Sequence, residues 1–336
     1  MSGSGKTTVS LGLMAALKRR GLSVAPFKVG PDFIDPGHHS KISGQVSRNL
    51  DGWILSADYN RRCFRKAAAG ADVAVVEGVM GLFDGYDGKS EAGSTAQIAK
   101  LTRLPVVLVV DAASMARSAA ALVQGFENFD RTLQFAGLIF NNLGSDGHLQ
   151  TLTEALSGNT RTPCLGGLLR DSHVTIPERH LGLVTEDEYP LSDKRIRRLA
   201  DLIDRHVDVD LLLDRLEDIE SGNDRARKGR SRGYCVKIGV ARDKAFCFYY
   251  QDNFDLLADA GAVMVPFSPI ADRHLPPGLD GLYLGGGYPE LYAEALSNNR
   301  TMLAQIGQKS RQGLPIYAEC GGFMYLCESL TALDGN

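Results

Sequence analysis

Met1-Ser2-Gly3-Ser4-Gly5-Lys6-Thr7-Thr8 opens the chain and decides its fold. The stretch matches the second part of the phosphate-binding loop G-x-x-x-x-G-K-[ST], whose first glycine would fall just before Met1. In such loops backbone N–H groups and a lysine bind phosphate, and the Ser/Thr hydroxyl is a ligand of Mg²⁺. The stretch therefore predicts nucleotide binding by Gly3, Gly5, Lys6, Thr7 and Thr8, with Thr7 also holding Mg²⁺. The alternative, a flexible start before an unrelated helix, is disfavoured by the amphipathic run that follows up to Gly21.

Short β-rich runs alternate with helical stretches, which predicts an α/β fold with a doubly wound parallel sheet. The candidate strands are nearly continuously apolar, as expected of parallel strands covered on both faces. A further strand is expected just before Gly3. The candidates are Ser23–Lys28, Val73–Glu77, Val106–Asp111, Ala136–Asn141 and Cys164–Leu169, then Val236–Arg242, Ala262–Pro266, Gly281–Leu284 and Pro315–Ala318.

Polar side chains end four of the predicted strands, at Lys28, Glu77, Asp111 and Asn141. Open α/β sheets bind ligands outside the carboxyl ends of their strands, so we expect these residues on the same edge as the phosphate loop. Asn141 is a candidate for adenine recognition, and an ordinary strand-end asparagine is an equal alternative.

Four carboxylates lie in or beside the loops that follow these strands: Asp32, Asp35, Glu77 and Asp84. Mg²⁺ usually takes one or two carboxylates together with phosphate and water. Glu77 is our first choice as a metal ligand and Asp32 the second. For Asp35 and Asp84, capping of a helix or turn is an equally good explanation.

The second candidate site is Ile316-Tyr317-Ala318-Glu319-Cys320-Gly321-Gly322, an apolar strand running into a cysteine and small residues. This is the strand-turn-helix pattern of a nucleophile elbow, in which a tight turn exposes the thiol and the next helix favours the thiolate. The glycine-rich turn at 285–287 is a candidate for oxyanion binding by backbone N–H groups. The pattern predicts Cys320 as a nucleophile, whereas the other cysteines are expected to be structural.

Composition indicates two domains in a reducing compartment. The chain has 336 residues, 37 basic and 40 acidic side chains, and six cysteines without a C-x-x-C pair. This balance argues against nucleic-acid binding and a disulfide framework, and the longest apolar run is too short for a membrane span. We therefore expect a cytoplasmic protein, with domains at 1–217 and 235–336 joined by a polar linker at 218–234.

Together these blocks resemble the cobyrinic acid a,c-diamide synthase family of glutamine-dependent corrinoid amidases. The resemblance covers nearly the whole chain. It rests on S-G-x-G-K-T-T, P-F-K-V-G-P-D-F-I-D-P-G-H-H, S-R-N-L-D, V-E-G-V-M-G-L-F-D-G, P-E-R-H-L-G-L, G-L-Y-L-G-G-G-Y-P-E and I-Y-A-E-C-G-G-F-M-Y-L.

The resemblance implies a P-loop NTPase-like first domain similar to dethiobiotin synthetase, followed by part of a class I glutamine amidotransferase domain. It implies that Mg-ATP phosphorylates a corrinoid carboxylate and that ammonia from glutamine displaces the phosphate, at the c and then the a acetate. Asp32, Asp35 and Asp84 would serve the synthetase reaction and Cys320 the glutaminase reaction. Around Glu178-Arg179-His180, nucleotide or substrate contact and a helix-start salt bridge are equal alternatives. A homodimer is a candidate assembly.

Two departures from the family pattern concern the ends of the chain. The opening of the phosphate loop is absent, and all seven histidines precede Cys320, so no histidine base follows the predicted nucleophile. We therefore expect a fragment of a longer protein that is poorly soluble and lacks glutamine-dependent turnover. Rival interpretations are the same chemistry on hydrogenobyrinic acid or nickel-sirohydrochlorin, a P-loop ATPase switch, and an inactive scaffold.

Overall fold

The computed structural model describes residues 3–171, 178–179, 182–183, 190–219 and 235–329. The chain divides into two units, Met1–Asp224 and Arg225–Asn336. This division falls inside the predicted linker at 218–234, most of which lies outside the described residues. The domain limits at 217 and 235 stay predictions.

The first unit alternates helices and strands. Its strands are β1 Val24–Val29, β2 Arg48–Leu50, β3 Val73–Glu77, β4 Val106–Asp111, β5 Phe135–Leu143, β6 Cys164–Leu169, β7 Glu178–Arg179 and β8 Gly182–Leu183. Its helices are α1 Lys6–Arg19, α2 Asp35–Ser43, α3 Ala57–Ala68, α4 Thr95–Thr102, α5 Ser118–Phe129, α6 Asp146–Leu156, α7 Asp193–His206 and α8 Val209–Leu213.

Two parallel three-stranded sheets, in the orders β2-β1-β3 and β4-β5-β6, form the framework of the first unit. Val75 of β3 and Val107 of β4 both pack against the apolar cluster built by α1 and α7, which includes Leu13 and Ile203. Within the described residues, β3 and β4 each form one edge of their sheet. The predicted α/β fold of parallel strands and alternating helices is thus confirmed.

Serine residues begin several of the surface helices. The Oγ atoms of Ser56, Ser94, Ser145 and Ser192 accept hydrogen bonds from backbone N–H groups in the first turns of α3, α4, α6 and α7. Such caps satisfy N–H groups that have no partner inside the helix. Helix α1 differs because it starts after Gly5 without a side-chain cap. The N-terminus of a helix that begins in a glycine-rich loop is suited to binding phosphate.

The second unit has one parallel sheet in the order β10-β9-β11-β12. On one face Phe267, Leu284, Met302 and Ile306 form a buried core, whereas Tyr317 at the edge strand is 61% exposed. The strands are β9 Val236–Ala241, β10 Ala262–Phe267, β11 Gly281–Leu284 and β12 Ile316–Ala318. The α-helices are α9 Gln251–Asp259, α10 Ala293–Asn298, α11 Arg300–Arg311 and α12 Gly321–Tyr325, with a 3-10 turn at Pro289–Tyr292.

The strand predictions need small corrections. Strand β1 is shifted one residue towards the C-terminus, β5 extends to Leu143, and β2 was not predicted at all. Helices α7 and α8 are separated because Val207 leaves the helix in extended conformation and Asp208 caps the next one. No helix in the described ranges is both long and apolar enough to cross a membrane.

Candidate active sites

Asn141, near the carboxyl end of β5, contacts the backbone of the phosphate loop. The Asn141 Nδ2 atom donates a hydrogen bond to the Ser4 carbonyl oxygen at 3.0 Å. Gly5 has φ +85°, and a Cβ atom built there would lie 2.0 Å from Asn141 Nδ2. Only glycine fits this conformation beside the amide without displacement. The structure thus places Asn141 against the loop backbone, and its role in adenine recognition stays a prediction.

Glu77 is the centre of a buried network next to the loop. Its Oε1 atom accepts hydrogen bonds from Thr7 Oγ1 at 2.6 Å and from Lys28 Nζ at 2.9 Å. Its Oε2 atom lies 2.7 Å from His39 Nε2, and His39 Nδ1 lies 3.2 Å from Ser47 Oγ. The carboxylate therefore connects the first turn of α1 with β1 and α2.

Lys28 is opposite Glu77 in the β1–β3 pairing, and its ammonium group lies among three carboxylates. Besides Glu77, it pairs with the Asp35 carboxylate and lies 3.7 Å from Asp32 Oδ2. Burial alone would lower the pKa of Lys28, but the charges of Glu77, Asp35 and Asp32 raise it above its usual value. Lys28 is therefore a permanent cation within the site.

The two carboxylates that share this ammonium differ in their proton affinity. Burial, followed by repulsion from Glu77, raises the pKa of Asp35 to about 8. Burial also acts to raise the pKa of Glu77, but Lys28, His39 and Thr7 together hold it below its ordinary value. Two negative charges close together favour ionisation of the better-paired group. Glu77 is thus the permanent anion, and Asp35 is the group that binds a proton more readily.

Lys6 and Asp84 belong to the same electrostatic environment. Burial and the nearby charge of Lys28 lower the pKa of Lys6, and Glu77, Asp35 and Asp84 partly oppose this shift. Asp84 Oδ2 also accepts a hydrogen bond from Gly81 N–H at 2.9 Å, so it does cap a turn in its own loop.

Asp32 has a local structural role as well. Its Oδ1 atom accepts hydrogen bonds from the N–H groups of Ile34 at 2.8 Å and Asp35 at 3.1 Å, which shapes the entry into α2. Asp111, in contrast, accepts a bond from Ala113 N–H in its own turn, at 3.0 Å. The side chains of Glu178, Arg179 and His180 lie outside the part of the chain that is described.

Oxygen donors at the loop fit a metal that is shared with phosphate. Among the described residues, no group of three or more His, Cys, Asp or Glu side chains is arranged to bind a metal alone. Thr7 Oγ1 and Glu77 Oε1 are joined by a hydrogen bond of 2.6 Å at the loop, so two oxygen atoms of the kind that Mg²⁺ prefers lie side by side there. Mg²⁺ commonly keeps several waters and takes its other ligands from phosphate, so a small protein contribution is sufficient.

Two members of this network, Lys28 as a site residue and His39, were missed by the sequence analysis. A signal for His39 was present, because Asp35 and His39 are four residues apart and share one face of α2. Lys28 was placed at the correct sheet edge but was not assigned to the site. Its pairing register with Glu77 depends on tertiary structure.

In the second unit, Cys320 lies in a sharp turn between β12 and α12. Its φ of 47° and ψ of −117° are unusual for a residue with a side chain, and the residue is exposed. A Cβ atom on Gly322 would lie 2.1 Å from the Leu284 carbonyl oxygen, and one on Gly286 would lie 3.4 Å from Cys320 Cβ. Small residues thus let the turn approach β11 closely, as the nucleophile-elbow prediction requires.

Glu319, directly before Cys320, is held by two tyrosines. Its Oε1 atom accepts a hydrogen bond from Tyr283 Oη at 2.7 Å and its Oε2 atom one from Tyr317 Oη at 3.2 Å. Burial, followed by the bond to Glu319, raises the pKa of Tyr283, so its hydroxyl remains a donor. The cysteine turn therefore has fixed support on the side of β12.

Comparison with known proteins matches both units to family models. Residues 1–184 match the CobQ/CobB/MinD/ParA nucleotide binding domain, and residues 237–336 match the CobB/CobQ-like glutamine amidotransferase domain. The first match assigns nucleotide binding to the domain that contains the loop and Glu77. The second assigns glutamine amidotransferase character to the domain that contains Cys320.

Several curated proteins are similar to nearly the whole of this chain. The chain is 50% identical to the cobyrinate a,c-diamide synthase of Syntrophotalea carbinolica, over 100% of this chain and 73% of that protein. It is 48% identical to the enzyme of that name from a Synechococcus species, over 97% of this chain and 72% of that protein. It is 46% identical to the cobyrinate a,c-diamide synthase of Methanosarcina acetivorans, over 98% of this chain and 69% of that protein. The chain therefore belongs to the cobyrinate a,c-diamide synthase family.

Proposed function

We propose that this chain catalyses the ATP-dependent amidation of the a and c acetate carboxylates of cobyrinic acid, with glutamine as the nitrogen donor. The observation that carries the proposal is the buried contact of Thr7 and Lys28 with Glu77 beside the phosphate loop. The named relatives act on cobyrinate, which supports this ring as the substrate.

The reaction needs activation because a carboxylate is a poor electrophile. A substrate carboxylate oxygen attacks the γ-phosphorus of ATP, ADP leaves, and the acyl phosphate that forms is attacked by ammonia to give the amide and phosphate. Lys6 offsets the negative charge of the phosphoryl group, Lys28 holds Glu77 and Asp35 in place, and Thr7, Glu77 and Asp32 would hold Mg²⁺. When bound, Mg²⁺ neutralises charge on the phosphates. Cys320 would attack the glutamine amide carbonyl, which expels ammonia and leaves a glutamyl thioester that water hydrolyses to glutamate and the free thiol.

The choice of nitrogen source distinguishes the activity of the first unit from that of the second. Residues 1–336 are incubated with cobyrinic acid, ATP and Mg²⁺, together with either ammonium or glutamine, and amidated products are measured by mass spectrometry. Because no histidine base follows Cys320, we expect product with ammonium and none with glutamine. Glutamine-dependent product that is lost in Cys320→Ala, with ammonium-dependent product unchanged, would overturn that expectation and assign the thiol as the nucleophile. Cys235→Ala, which alters another exposed cysteine of the same unit, is the matched control. Glu77→Gln should reduce ammonium-dependent product by at least ten-fold.

Amidation that needs no ATP, or that survives Glu77→Gln, would contradict the proposal. Parallel reactions with hydrogenobyrinic acid and nickel-sirohydrochlorin test the choice of ring, because faster turnover of either would reassign the substrate. A homodimer stays a prediction, which sedimentation equilibrium would check.

A further inference from the structure

An exposed pair of aromatic rings lies in the first unit. Trp53 and Tyr86 stack with ring centroids 3.7 Å apart and planes inclined by 10°. Despite this contact the two residues are 56% and 64% exposed. Aromatic rings usually bury most of their surface, so a stacked pair left open to solvent is a candidate binding surface. We call this pair the aromatic platform.

Backbone contacts hold in place the loops that carry both rings. Trp53 N–H donates to Oδ1 of the buried Asp51 at 2.7 Å, and Tyr86 N–H donates to the Ala92 carbonyl at 2.8 Å. The Asp51 N–H in turn donates to Asn60 Oδ1 at 2.9 Å, which anchors the turn on α3. A platform fixed in this way loses little conformational entropy when a ligand binds.

The platform lies in the loops that surround the synthetase site. Trp53 follows the end of β2, whose Leu50 carbonyl accepts a bond from Gly30 N–H at 2.8 Å in the loop after β1. Tyr86 lies in the loop after β3, two residues beyond Asp84, whose charge acts on Lys6. These loops follow strands whose carboxyl ends share one sheet edge with Glu77.

The excess of carboxylates at the synthetase site favours a substrate that binds through apolar contacts. Asp32, Asp35, Glu77 and Asp84 surround Lys28 and Lys6, so the site carries more carboxylates than lysines. A substrate with several carboxylates gains little there from charge attraction and is repelled by the unneutralised groups. Its binding energy has to come mainly from parts of the molecule that do not react. In a tetrapyrrole, that part is the large macrocycle.

We propose that the aromatic platform binds the face of the tetrapyrrole macrocycle and so presents an acetate carboxylate to the phosphate loop. Trp53 and Tyr86 are substrate-positioning residues in this scheme, which rests on the proposed function. Stacking on the ring face is insensitive to which acetate is turned towards the loop. One platform therefore serves successive amidations of the same ring.

The test is equilibrium dialysis of cobyrinic acid against the full chain and its variants. Trp53→Ala and Tyr86→Ala should each raise the dissociation constant roughly ten-fold, the order expected for one lost aromatic contact. Trp53→Phe should restore most of the affinity. Phe129→Ala, which removes another aromatic residue that is 76% exposed, is the control and should bind like wild type. Binding of a fluorescent ATP analogue should be unchanged in all four variants.

Three results would overturn the inference that the aromatic platform binds the macrocycle. Wild-type affinity for cobyrinic acid in both alanine variants would exclude the platform as a ring subsite. Equal loss of nucleotide and cobyrinic acid binding would assign the rings a structural role. If the wild-type chain bound nucleotide but neither cobyrinic acid nor hydrogenobyrinic acid, the proposed function would fail first, and the inference with it.

Discussion

Replacing Lys28 with methionine would remove the ammonium group that lies between two buried carboxylates. The side chains of Lys28, Asp35 and Glu77 are 5%, 8% and 1% exposed. Water therefore cannot replace the lost charge, and methionine fills a similar volume without supplying a donor. We expect Lys28→Met to destabilise the first unit strongly, even though the substitution adds apolar surface.

Removing one partner from a buried ion pair costs about 3–5 kcal/mol. At neutral pH Asp35 already holds a proton most of the time, because its pKa is raised to about 8, so the charge left without a partner is chiefly that of Glu77. Glu77 keeps its contacts with Thr7 and His39. We therefore expect a loss near the lower limit, about 3 kcal/mol, which corresponds to a fall in Tm of roughly 6–12 °C for a unit of this size. Lys28→Met/Asp35→Asn should recover part of the loss, because only one buried carboxylate then remains.

The assay uses the single tryptophan of the chain, Trp53, which lies in the first unit and reports its unfolding separately from the second. Urea titrations followed by tryptophan fluorescence would compare wild type, Lys28→Met and the control Lys89→Met, which alters an exposed lysine of the same unit. A difference below about 1 kcal/mol between the two lysine variants would refute the reasoning. It would mean that the carboxylates are solvated in solution.

Three further predictions concern glycines. Gly5→Ala should weaken nucleotide binding at least ten-fold in a fluorescent ATP-analogue titration, because its Cβ would collide with the Asn141 amide; unchanged binding would show that the loop relaxes freely. Gly322→Ala should slow the alkylation of Cys320 by iodoacetamide, because the alanine Cβ would lie 2.1 Å from the Leu284 carbonyl oxygen and would displace the turn. Peptide mass spectrometry measures the alkylation rate, and a rate equal to that of wild type would contradict the tight turn. Gly125→Ala, in the exposed face of α5 with nothing within 4 Å, should stabilise the first unit by about 0.5–1 kcal/mol in urea titrations, and a loss would indicate an unseen contact.

Continuous apolar runs made most of the sheet predictable. The bounds of β3, β4, β6 and β11 agree with the sequence prediction, since these strands have clear polar or glycine ends. Strand β2 was missed because Arg48-Asn49-Leu50 is short and has one apolar residue. It is a strand only because it pairs with β1, and a local pattern does not record such pairing.

Most residues of the candidate site were predictable from the sequence, whereas most contacts between their side chains were not. The phosphate-loop motif singled out Thr7, and the ends of the predicted strands with the loops after them singled out Glu77 and Asp32. The structure brings Thr7 and Glu77 into contact. The contacts of Lys28 and His39 with Glu77 were not predicted, since they join residues from different elements. The pKa difference between Asp35 and Glu77 follows from those contacts, so it could not be predicted from the sequence either.

The unusual backbone of Cys320 has an evolutionary consequence. A residue with a side chain at φ 47° and ψ −117° stores roughly 1–3 kcal/mol of strain, which glycine would largely release. Selection for folding alone would therefore replace this cysteine by glycine. A relative that had come to rely on free ammonia would no longer be restrained from this change. We expect glycine at this position to mark lineages that have abandoned glutamine, and more stable amidotransferase units to accompany it.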